Sequence, residues 1–303
     1  MFKVIKNKLT PVLHAARIVK NIPLTFVFLS AVFINQPVVL VEVIIALITI
    51  LFASFFMTHI NVITDYELDK KKKPSFYVAL NHNKNFSRKF IIFELFGVLV
   101  GLSLLLFFGL ILPALFIAIF TVVAILYSYN FFSLKPIFNR LKVFWWGHFL
   151  VIILGYSSLW FAGLTMYQMP IESLKFWLVL FVLVSFSEYG VFLLESSIDH
   201  KEEKENNIQS MSTLIGERNT LKMSAFIGLV SSTFVICLMV FYPANSTLLI
   251  VAFLPAMIIR FIYEIMVIFV NEAKVKYKMK KYIPDILFIG TRLYTLILII
   301  ILR

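Results

Sequence analysis

Apolar runs of about twenty residues recur along the whole chain, bounded by charge or by Pro, Gly and Asn. They span 22–34, 38–60, 90–108, 111–127, 143–164, 174–195, 223–242, 248–270 and 283–302. A run of that length crosses a bilayer as a helix of roughly 20 residues, because only a helix satisfies every backbone polar group without water. The first run is short and is expected to extend into the preceding segment. With 61% hydrophobic and 15% charged residues among 303, too few polar side chains remain to cover a water-soluble globule. The expected fold is therefore all-α: a polytopic membrane protein of about nine transmembrane helices.

The connectors alternate in character. Those at 35–37, 109–110, 165–173 and 243–247 carry almost no charge, whereas the N-terminal segment and the connectors at 70–89, 135–142, 201–222 and 274–281 hold 24 of the 28 Lys and Arg. Positive connectors stay inside. This places the N-terminus and the basic connectors on the cytoplasmic face and the C-terminus outside, in a multi-pass protein of the cell membrane. Most of these lysines set topology and touch anionic head groups. Residues 1–20 lack the compact core of a secretory signal and read as a helix on the membrane surface. The single Cys237 excludes an internal disulfide and a Cys-based metal site. No soluble domain is left to bind nucleic acid.

Two acidic groups end the second and sixth runs, on the same face. The first reads Asn61-x-x-x-Asp65-x-x-x-Asp69 and the second Glu195-x-x-x-Asp199-x-x-x-Glu203. Spacing of four stacks each triple on one side of a helix. Like charges so placed destabilise the helix unless something offsets them. An all-oxygen set suits a hard cation such as Mg2+, which takes a few carboxylates together with phosphate and water. Finding the pattern twice also suggests two parallel four-helix repeats, at about 22–142 and 143–270, with a last helix at 283–302, in one domain covering 1–303.

The first triple, followed by Lys73-Pro74, resembles the first Asp-rich motif of the UbiA-type intramembrane prenyltransferases. Asp199-x-x-x-Glu203, followed by Thr213-Leu214, is similar to the second, and Tyr127-Ser128 with Lys135 resembles the positions after helix four. The resemblance implies a helical bundle around a central cavity, capped by cytoplasmic loops. It implies Mg2+-dependent transfer of a prenyl group from a polyprenyl diphosphate to an aromatic or lipid acceptor. By carry-over Asp65, Asp69, Asp199, Glu203 and Glu195 hold Mg2+, with Asp65, Asp199 and Asn61 in the catalytic set. Lys73, Lys135 and Tyr127 meet the diphosphate. The family's Lys-Pro-x-Arg-Pro is broken here by Phe76 and Tyr77, so Lys70 to Lys73, Arg88 and Arg218 are the nearby substitutes for its arginine. Ser210 stands where glycine is common, after about three additional residues.

Other readings remain beside this one. The same diphosphate-ionising site serves a membrane terpene cyclase, and a transporter or scaffold is a third possibility. Among polar residues inside the runs, Arg260 and Glu264 are expected to pair on one helical face, Glu188 and Tyr189 to line the cavity as a proton acceptor, and His59 to lie at the membrane interface. Glu42, Glu94 and Arg292 have no assigned role.

Overall fold

The computed structural model describes residues 18–34, 39–64, 84–128, 144–167, 171–205, 208–243, 246–270 and 273–302. Those residues are helical almost throughout. The helices are α1 (Ile18–Ile34), α2 (Leu40–Thr64), α3 (Lys84–Phe107), α4 (Ile111–Ser128), α5 (Trp145–Leu164), α6 (Ile171–Glu205), α7 (Met211–Ile215), α8 (Glu217–Phe241), α9 (Leu254–Phe269) and α10 (Ala273–Leu302). Six segments are long and apolar enough to cross a membrane, and three shorter apolar helices lie at Asn21–Ile34, Ile111–Tyr127 and Ile289–Leu302. The protein is a multi-pass integral membrane protein.

Helix boundaries follow local chemistry. α3 and α4 are joined by a tight turn in which Gly109 takes φ +77°, a left-handed conformation that costs a side-chain-bearing residue more. A π-helical stretch, Leu249–Phe253, precedes α9. It stands just before Pro255, which has no N–H for the helical ladder, and a wider turn accommodates that gap. α10 runs without a break from the basic stretch 274–281 into its apolar half.

Packing between helices uses small residues rather than an apolar contrast, since lipid is as apolar as leucine. Gly97 and Gly101, one turn apart on α3, receive Phe52 and Thr49 of α2: an added Cβ would lie 2.7 Å from the Phe52 ring and 2.0 Å from Thr49 Oγ1. Gly163 of α5 lies against α1, where a Cβ would stand 2.5 Å from the Phe28 carbonyl oxygen. The outer surface is correspondingly greasy. Phe96, Phe107 and Ile92 of α3 are all well exposed.

Buried polar side chains tie the helices together. His59, read above as interfacial, is fully buried, with Nδ1 3.3 Å from a carboxylate oxygen of Glu94 on α3. The expected pairing of Arg260 with Glu264 is replaced by a larger cluster. Arg260 donates to Thr291 and pairs with Glu188, and Arg292 Nη2 lies 2.9 Å from the same Glu188 oxygen. Glu264 instead lies in a slot between Gly190 and Gly228, whose added Cβ atoms would stand 3.1 and 2.4 Å from its oxygens. Spacing along one helix shows which residues share a face; it does not show that a third helix carries a competing acid.

Candidate active site

Five helices line a cavity of about 280 Å³, and three of them each contribute one stripe. From α4 come Phe120, Val123, Ala124 and Tyr127. α5 runs the other way and contributes His148, Val151, Ile152, Gly155 and Tyr156. α6 adds Glu188, Val191, Phe192 and Glu195. Steps of three and four keep each set on one helical face. Asn21 and Leu24 of α1 and Met57 and Thr58 of α2 complete the wall.

The two ends of the cavity differ. One end gathers Met57 and Thr58 of α2 and Tyr127 in the last turn of α4, beside the stretch of α6 that opens the second acidic motif. Tyr127 packs edge-on to His148 with centroids 5.4 Å apart, and His148 lies 4.6 Å from the Phe192 ring. Asn21 Nδ2 donates to Thr58 Oγ1 at 3.1 Å and to the Ser54 carbonyl at 3.3 Å, fixing α1 against α2 there. Glu195 shares this end. Two turns away, Phe120, Tyr156 and Glu188 close the other end, and the Arg292 guanidinium lies 4.5 Å over the Tyr156 ring.

Of the residues marked in the sequence, the cavity brings together Tyr127, Glu188 and Glu195; Tyr189, expected beside Glu188 on the wall, is buried in packing and does not line it. Asn61 lies in the last turn of α2; its Oδ1 is buried and has no hydrogen-bond partner among the described residues. Asp65, Asp69, Lys73 and Lys135 lie outside the described residues, as does the side chain of Asp199, although Asp199 itself falls within α6. Arg88 on α3 and Arg218 on α8 are exposed and do not line the cavity.

Glu203 has a definite setting. Its Oε2 accepts from Ser210 Oγ at 2.5 Å, Ser212 Oγ at 2.9 Å and Ser196 Oγ at 3.4 Å. Ser210 also caps α7, accepting from the Thr213 N–H at 3.3 Å. Ser210 thus provides a hydroxyl that anchors Glu203. The segment is further held to the start of α5 by the Trp145 N–H, which donates to the Gln209 carbonyl at 3.0 Å.

His148, Tyr156 and Asn21 are the cavity residues that the sequence reading passed over. Their signal was present as spacing, since His148 begins the 148, 151, 152, 155, 156 stripe. Only the opposing stripes distinguish it from any other apolar face.

With this geometry in view, comparison with known proteins is decisive. The sequence profile of the UbiA prenyltransferase family matches residues 22–283. The chain belongs to that family. No curated protein sequence matches this UbiA-family chain significantly. Its fold is similar to that of a digeranylgeranylglyceryl phosphate synthase, with 18% identity, a TM-score of 0.64, and coverage of 97% of this chain and 99% of that one. It is also similar to a UbiA homologue from Archaeoglobus fulgidus bound to GPP and Mg2+, at 15% identity, TM-score 0.62 and coverage of 94% and 99%. A UbiA homologue from Aeropyrum pernix K1 in its apo form gives 14% identity, TM-score 0.65 and coverage of 93% and 97%.

Proposed function

We propose that this UbiA-family protein ionises a polyprenyl diphosphate with the help of Mg2+ and transfers the prenyl group to an aromatic or lipid acceptor within the membrane. The observation that supports the reading best is the cavity itself: Tyr127, His148 and Glu195 at one end, apolar side chains through its middle, and walls drawn from five helices. Archaeoglobus fulgidus homologues of the same fold were solved with GPP and Mg2+ and with DMAPP and Mg2+.

The donor set fits a hard cation. Asp65, Asp69, Asp199, Glu203 and Glu195 offer carboxylate oxygens, and the buried, unpartnered Oδ1 of Asn61 is the kind of neutral oxygen such an ion accepts. When bound, Mg2+ neutralises charge on the departing diphosphate. Lys73, Lys135 and the Tyr127 hydroxyl are the groups assigned to the diphosphate, and of these Tyr127 lines the cavity. Arg88 and Arg218, exposed and off the wall, attract it at longer range. Ionisation leaves an allylic cation beside the diphosphate, which the faces of Tyr127 and Phe192 at that end shelter by about 0.5–2 kcal/mol each. The apolar side chains through the middle of the cavity leave water few polar partners there, which protects the cation from quenching.

Transfer to an acceptor releases a proton. Glu188 is ill placed to take it, because its carboxylate is already engaged by two guanidiniums. His148, on the wall near the motif end, is better placed.

The test uses purified protein with radiolabelled geranyl diphosphate and candidate acceptors, with and without Mg2+. Mg2+-dependent diphosphate release and a labelled acceptor are expected, and Asp65→Asn and Asp199→Asn should abolish both. Absence of release under all conditions overturns the reading. A terpene cyclase using the same site would instead give cyclic hydrocarbons without acceptor, seen by gas chromatography.

A further inference from the structure

The end of the cavity away from the motifs is closed by ions rather than by hydrocarbon. Glu188, on the cavity wall, is paired with Arg260 and Arg292, and Arg292 covers the Tyr156 ring. Behind Glu188 lies a second space of about 40 Å³, lined also by Arg260 and Arg292. Glu188 is the shared wall. An apolar tail passing from one space to the other would have to part buried charges that have no water to receive them, which is strongly unfavourable.

We propose that Phe120, Gly155 and Tyr156, backed by the Glu188–Arg260–Arg292 cluster, form the floor that sets prenyl chain length. The proposal rests on the reading above, in which the diphosphate lies at the motif end. Glu188 and Glu195 both line the cavity and are seven residues apart on α6, so the wall between floor and motif end is about 10 Å long. Three extended backbone bonds cover about 3.5 Å, so the four carbon–carbon bonds of one isoprene unit cover about 5 Å. The wall therefore accommodates two units, the geranyl length. A volume of about 280 Å³ agrees, standing at the lower edge of the roughly 300–1,000 Å³ usual for ligand pockets.

Gly155 makes the limit adjustable. A Cβ added there meets nothing nearer than Phe120 Cδ2 at 3.8 Å, so a larger side chain would fill the floor without striking backbone. Tyr156 works in the other direction. Removing its ring deepens the floor while leaving the Glu188 ion pairs in place.

The experiment is equilibrium binding of dimethylallyl, geranyl, farnesyl and geranylgeranyl diphosphates to detergent-purified full-length protein in Mg2+ buffer. Affinities are compared as ratios within each protein, so loss of folded material cancels. The unsubstituted protein should bind geranyl diphosphate best and geranylgeranyl diphosphate at least about tenfold more weakly. Gly155→Val should move the optimum to dimethylallyl diphosphate, and Tyr156→Ala should move it toward farnesyl diphosphate. Geranylgeranyl diphosphate binding as tightly as geranyl, or an unchanged ranking in both variants, overturns the floor. Failure of every prenyl diphosphate to bind overturns the diphosphate reading itself, a separate and recognisable outcome.

Discussion

Glu188 shows how a single residue changes meaning with its surroundings. Along α6 it is one acid in an apolar run; in the fold it neutralises two buried arginines from α9 and α10. Glu188→Gln would leave both guanidiniums undercompensated, and breaking a buried pair this way costs about 3–5 kcal/mol. A marked fall in the detergent melting temperature is the expected result. Ser210 carries a milder version of the same lesson. Ser210→Ala removes the α7 cap and a donor to Glu203, for about 1 kcal/mol of cap energy. Thermal unfolding should register that loss, and Mg2+-dependent diphosphate release should fall with it as Glu203 loosens.

At the scale of elements, glycines decide how closely helices approach. Gly163→Ala would press a methyl against the α1 backbone at the Phe28 carbonyl, where no side chain can swing aside. Overpacking of this kind costs about 1–3 kcal/mol, and a lowered melting temperature with an unchanged helical circular dichroism spectrum is expected. Gly101→Ala should act similarly on the contact between α2 and α3, though Thr49, a side chain, can yield in part. The apolar runs foretold these helices because a period and a length are local properties. Their partners were not foretold. Nothing in the order Gly97-x-x-x-Gly101 says that Phe52 and Thr49 will fill the gaps.

At the scale of the whole molecule, the charge asymmetry makes its own prediction. With 24 of 28 cations in the N-terminal segment and alternate connectors, positive connectors remaining inside place the N-terminus in the cytoplasm and the C-terminus outside. Reporter fusions at the two termini check this: a C-terminal phosphatase fusion should be active, and an inactive one would reverse the assignment.

The sequence by itself determined the solvent, the helices and the family, because hydrophobic length, charge placement and the stacked oxygens of Asn61 and Glu195 are legible one segment at a time. Tertiary structure alone decided that His148 faces a cavity, that Arg260 bonds Glu188 instead of Glu264, and that His59 is buried against Glu94. Those outcomes depend on which faces of distant helices meet. An ion pair or a cavity wall is a relation between residues far apart in the chain, and spacing within one helix specifies only half of it.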